Sequence, residues 1–139
     1  MLAQPKVLLL SSEEAESNAM ENVLSEYVIL QNARNLSELE MFLEGGIYDA
    51  VFCGRSFHQG EWNGALRKVQ QRCPNLPVIV FCQTGSEREW SEVIEAGGFD
   101  LLTAPYRRNT VLPVLEHAVI SYEARRLHNV TLSPMKAVS

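Results

Sequence analysis

The side chains of this 139-residue sequence that could carry chemistry are few: cysteines Cys53, Cys73 and Cys82, histidines His58, His117 and His128, the pair Ser11-Ser12, and the loop residues Arg55 and Ser56. A thiol attacks only as thiolate, which needs a cation or a helix N-terminus beside it, and no such partner can be assigned to Cys82. The cysteines form no CxxC pair and their number is odd, so free thiols are expected rather than a disulfide framework or a zinc site. Cys53 and Cys82 fall on neighbouring predicted strands but are expected to face opposite sides of the sheet, which argues against a bridge between them. Ser11-Ser12 lacks the Gly-x-Ser-x-Gly setting of a nucleophile elbow, and no Asp–His relay can be paired with it. Gly45, Gly46, Gly54, Gly60 and Gly64 match neither the dinucleotide nor the phosphate-loop spacing. Ser56 and His58 could accept a phosphoryl group, yet neither has an activating partner, and a solvated loop accounts for both. The histidines are too scattered for a metal site. The sequence therefore predicts no catalysis, no cofactor and no metal.

These residues must be held by one domain, since 139 residues is close to the usual ~100–150. Apolar residues make up 46% and charged residues 21%, values that suit a folded globular chain and exclude the composition of disorder. The net charge of −5 lacks the basic surplus needed to neutralise a phosphate backbone, so nucleic acid is not expected as a direct partner. The longest apolar runs, such as Val7–Leu10 and Val78–Cys82, are strand-length, well short of the ~20 residues of a membrane span. With no signal-peptide pattern at the N-terminus and unpaired cysteines, a cytoplasmic location is expected.

Short apolar runs alternate with segments of helical period, which implies βα units and a parallel sheet. Strands are predicted over Lys6–Leu10, Tyr27–Leu30, Asp49–Cys53, Val78–Cys82 and Phe99–Thr103. The first helix, Glu13–Leu24, places Ala15, Ala19, Val23 and Leu24 at helical spacing and Glu13, Glu14 and Glu16 near its positive end. Asn35 with Glu38 and Ser86 with Glu89 have capping-box spacing, the latter opening a helix expected to bury Trp90, Val93 and Ile94. The third helix is predicted from about Gly64 to Arg72, and Thr110 is predicted to cap a last helix ending near Leu127. Residues 1–128 form the expected domain, and residues 129–139 a tail or the start of a linker.

Five βα units in a doubly wound parallel α/β sheet of order 2-1-3-4-5, the flavodoxin-like arrangement, place a crevice at the carboxyl ends of strands one and three. Four segments go further: Val7-Leu-Leu-Leu-Ser-Ser-Glu, Tyr48-Asp-Ala-Val-Phe-Cys-Gly, Pro77-Val-Ile-Val-Phe-Cys and Ala96-Gly-Gly-Phe-Asp-Leu-Leu-Thr-Ala-Pro-Tyr. In order and spacing they resemble the strand segments of response-regulator receiver domains, over roughly residues 6–127. The resemblance implies an acidic pair, a phospho-accepting aspartate, a hydroxyl residue and a lysine followed by proline. At those positions this chain carries Ser11 and Ser12, Gly54, Cys82 and Ala104, and only Pro105 remains. The switch aromatic of the family falls on Leu101.

Family chemistry depends on the missing charges, because Mg²⁺ wants oxygen ligands and is usually held through carboxylates. Gly54 has no group to attack a phosphoryl donor, and Ala104 none to pair with the product. The expected function is a receiver-like signalling module of two-component type that acts by protein–protein contact without phosphorylation. The alternative is a small-molecule or redox sensor using the pocket of Ser11, Ser12, Gly54, Cys82 and Ala104, in which Arg55 could enter the empty acceptor position or bind an anion. The resemblance also implies a cis Ala104–Pro105 bond and self-association or partner binding through the last helices. On the final helix Val111, Leu112, Leu115, Ala118, Val119 and Tyr122 share the face expected to cover the sheet, whereas Ile120 and Leu127 lie off it as a candidate pairing seam.

Overall fold

The computed structural model describes residues 4–138, with side chains through Arg126. Ten elements alternate along the chain: β1 (Lys6–Leu10), α1 (Glu14–Leu24), β2 (Ile29–Ala33), α2 (Leu36–Gly45), β3 (Ala50–Gly54), α3 (Trp62–Arg72), β4 (Val78–Cys82), α4 (Glu87–Glu95), β5 (Asp100–Thr103) and α5 (Arg108–Val138). The five strands are parallel and ordered β2-β1-β3-β4-β5, as the alternation of apolar runs and helical segments predicts.

The continuous apolar strands are covered on both faces, the burial expected of parallel strands. Leu8, Leu10, Val51, Val78 and Val80 pack with Leu39 of α2, Leu66 and Val69 of α3 and Val93 of α4. Val7, Leu9, Phe52, Ile79 and Phe81 pack on the other face with Met20 and Leu24 of α1 and Val111, Leu115 and Ala118 of α5. Both expected caps form. Asn35 Oδ1 accepts from the Glu38 amide at 2.9 Å while Glu38 Oε1 accepts from the Arg34 amide at 2.7 Å, and Ser86 Oγ accepts from the Glu89 amide at 3.3 Å.

Several local expectations are corrected. β2 is Ile29–Ala33 rather than Tyr27–Leu30, because pairing with β1 sets Lys6 against Ile29 and leaves Tyr27 in the preceding turn. As an edge strand it carries Gln31 and Asn32 without burying them fully. α1 turns Ala15 and Ala19 outward and buries Glu16, Ser17, Met20, Val23 and Leu24. α3 starts at Trp62, whose side chain is buried, two residues ahead of Gly64. α4 buries Val93 alone, leaving Trp90 and Ile94 at 48% and 36% exposure, since a nine-residue helix at the sheet margin turns only one line inward. Thr110 lies inside the first turn of α5, where the Val111 amide already bonds Arg107 O. α5 continues beyond Leu127 to Val138, although the apolar period stops there. Its sheet-covering face is as expected, with Val111, Leu115, Ala118 and Val119 buried and Ile120 at 55% exposure.

Candidate functional site

Strand register lines up the predicted pocket residues along one edge of the sheet. Leu10 pairs with Cys53, Gly54 with Phe81 and Cys82 with Thr103, so β1, β3, β4 and β5 end side by side. Beyond them, the Ser11 amide bonds Ala33 O at 3.3 Å, the Arg55 amide bonds Phe81 O at 2.8 Å and the Ala104 amide bonds Cys82 O at 3.0 Å. The edge thus brings together Ser11, Gly54, Cys82 and Ala104, followed by Pro105 across a cis bond, as expected. Ser11 is buried and donates from Oγ to Glu13 O at 3.2 Å, which ties the β1 end to the entry of α1. Ser12 faces solvent.

The side chain that occupies this edge is Glu16, which the sequence pattern places only among the acids of the first helix. Its exposure is 3%, and a β-carbon added to Gly54 would stand 2.8 Å from Glu16 Oε1, 3.3 Å from Phe81 Cζ and 3.4 Å from Leu10 O. Glu16 reaches in from the first turns of α1 and fills the space that a side chain at residue 54 would enter. Ser56 Oγ donates to Glu16 Oε1 at 3.2 Å. Burial raises the Glu16 carboxyl above its ordinary range, the Ser56 hydrogen bond opposes that less strongly, and nearby Glu13 adds to the rise. Among the described residues no lysine, arginine or histidine forms an ion pair with Glu16. A signal for Glu16 was present, because positions 16, 20, 23 and 24 form one helical stripe with Met20, Val23 and Leu24.

Arg55 does not enter the vacant acceptor position. Its guanidinium pairs with Glu89 and, at 3.3 Å, with Glu92, so the β3–α3 loop is clamped to α4. Farther along that loop His58 and Gln59 adopt left-handed φ of 55° and 57°, and His58 Nε2 lies 3.5 Å from Glu61 Oε2. Ser56 is exposed, as expected of a solvated loop, and its hydroxyl also donates to Glu16.

All three cysteines are free. Cys53 pairs with Val80, so Cys82, two residues on, shares the sheet face of Cys53; the expectation of opposite faces is corrected. Burial pushes the Cys53 thiol up to about 12. Burial also raises Cys82, with Glu89 adding and Arg55 opposing, and its Sγ donates to Thr84 O at 2.9 Å. These surroundings favour the protonated thiol, the opposite of what a redox sensor requires. The Tyr106 ring stands edge-on to Phe81 at 5.6 Å with its hydroxyl buried and unpartnered, and burial raises that group as well.

One buried carboxylate beside a serine hydroxyl does not fit the several oxygen donors of Mg²⁺. Among the described residues no three His, Cys, Asp or Glu side chains gather as a metal site. A polar hollow of about 70 Å³ lies on the α1 side of the edge, lined by Ser11, Ser12, Glu14, Asn18, Glu21 and Arg34. It is far smaller than the ~300–1,000 Å³ of small-molecule sites. No described helix is long and apolar enough to cross a membrane.

The fold is that of response-regulator receiver domains. The signal receiver domain of an HD-domain-containing protein from Pseudomonas fluorescens superposes with a TM-score of 0.76 at 20% identity, over 88% of this chain and 99% of that one. NtrX from Brucella abortus, solved with ADP, gives a TM-score of 0.82 at 17% identity over 93% of this chain and 29% of its own. In sequence, the hydrogenase transcriptional regulatory protein HoxA of Bradyrhizobium diazoefficiens is 24% identical over 140 residues, covering all of this chain. The chain spans 29% of the length of that relative. No protein-family model matches the chain.

Proposed function

We propose that this chain is a receiver-like signalling module of two-component type that works by protein–protein contact and takes no phosphoryl group. The observation that carries this reading is the position of Glu16. Gly54 supplies no nucleophile, and the volume beside it is filled by a carboxylate from α1. A phosphoryl group placed there would meet a negative or neutral acid where family chemistry needs Mg²⁺ and a lysine. Residues 1–128 form the functional unit, the pocket of Ser11, Ser12, Gly54, Cys82, Ala104 and Pro105 is vestigial, and the domain is not an enzyme and binds no cofactor.

The sensor alternative has less support. The hollow is small, Arg55 is already paired with α4, and the two buried thiols are held protonated. For a partner surface, Ile120 stands out from α5 with 55% exposure; Leu127 lies outside the residues whose side chains are described. The resemblance to a transcriptional regulatory protein agrees with a regulatory role, and the net charge of −5 leaves this chain without the basic surplus for direct nucleic-acid contact.

Incubation with acetyl phosphate and Mg²⁺, read by intact mass, tests the proposal. No mass increase is expected, and beryllofluoride should leave amide resonances around Gly54 unmoved. A stoichiometric phosphoryl adduct, or ordered beryllofluoride beside Gly54, would end this reading.

A further inference from the structure

Two tethers meet at consecutive residues of the β3–α3 loop. Ser56 is bonded to Glu16 of α1 at 3.2 Å, and Arg55 is bonded to Glu89 and Glu92 of α4. The loop therefore connects a buried acid on one side of the sheet with α4 on the other, and α4 is the helix that leaves Trp90 and Ile94 in solvent. We propose that Glu16 is a proton-operated switch: protonated, it stays buried against Gly54 and holds Ser56; ionised, it leaves, and the freed loop shifts the Arg55 clamp on α4. This rests on the reading that the site takes no phosphoryl group, and it names the input that acts there instead.

Burial and the like charge of Glu13 favour the neutral form of the carboxyl and outweigh the Ser56 hydrogen bond, while the place of Glu16 in the first turn of α1 also favours its ionised form. From α1 it is faced by Glu13, a like charge; from β3 by Cys53, from β4 by Cys82 and from the β5–α5 segment by Tyr106, all neutral groups whose ionisation Glu16 further opposes. The Ser56 hydroxyl is its one hydrogen-bond partner among the described residues. The Arg55 guanidinium is held by Glu89 and Glu92. An ionised carboxylate buried to 3% exposure with a single hydroxyl partner is poorly compensated, whereas the acid form fits the same space without that penalty. Departure of Glu16 opens room beside Gly54 and removes the anchor of Ser56. Movement of that loop reaches α4 through the next residue, Arg55.

The switch is tested by following the backbone amides of Ser56, Arg55 and Trp90 through a pH titration by NMR. Wild type should show one shared transition at all three, with a midpoint above the ordinary carboxylate range. Glu16→Gln, a neutral shape-mimic, should show none and keep the low-pH spectrum throughout. Arg55→Ala should retain the transition at Ser56 and lose it at Trp90. A transition that persists in Glu16→Gln, or one in wild type that stops at Ser56 without reaching Trp90, overturns the proposal. The phosphodonor assay separates the two readings: a phosphoryl adduct removes the proposed function, while no adduct together with no shared titration removes the switch alone.

Discussion

The body of the sheet and its carboxyl edge are built on opposite terms. In the body, Leu8, Leu9, Phe52, Ile79 and Val80 are fully buried and apolar on both faces, so each side chain has one place to go. At the edge stand Ser11, Gly54, Cys82 and Ala104, and the carboxyl buried among them is that of Glu16. The body is determined by exclusion of water, which asks only for apolar shape. The edge is determined by which side chain fills a space left open, and a single missing side chain at Gly54 is enough to admit a carboxyl group from another element.

The largest test of this contrast is Phe52→Ala. Phe52 is fully buried between α1, α5 and the neighbouring strands, so truncation should cost about 3–5 kcal/mol in urea unfolding. Ser12→Ala at the exposed edge should stay within about 0.5 kcal/mol. Equal costs at the two positions would erase the distinction.

Gly54→Ala sharpens it. The new methyl would stand 2.8 Å from Glu16 Oε1, the end of a flexible side chain, and 3.3 Å from Phe81 Cζ, a crowding expected to cost about 1 kcal/mol. In a Glu16→Ala background most of that cost should vanish, because the colliding atom is gone. A double-mutant cycle with no coupling would show that Glu16 does not occupy this space.

The smallest effect is in the pH dependence. Burial raises the Glu16 carboxyl above 4.5, so the folded state holds its proton where the unfolded chain has lost it. Stability is then full below the unfolded pKa and falls as pH rises from about 4.5 through the folded pKa, after which it levels. The melting temperature of wild type relative to Glu16→Gln should decline across that window. A difference that stays flat, or grows with pH, would mean that Glu16 is accommodated as an anion.

Much of this was legible without coordinates. Unbroken apolar runs at Val7–Leu10 and Val78–Cys82 read as strands because a strand covered on both faces has no polar position to spare. Asn35 and Ser86 read as caps because their side chains reach amides three residues on, an interaction complete within one turn. The resemblance to receiver segments singled out Ser11, Ser12, Gly54 and Ala104 as residues at strand ends. What waited for the tertiary structure was every outcome that depends on a neighbour distant in sequence. Trp90 and Ile94 lie on an apolar stripe, yet α4 sits where the sheet has no surface left to cover them. Cys53 and Cys82 share a face because the pairing of β3 with β4 sets Cys53 against Val80. Glu16 shares a helical stripe with buried Met20, Val23 and Leu24, but that its carboxyl lies against Gly54 depends on the docking of α1 on β3.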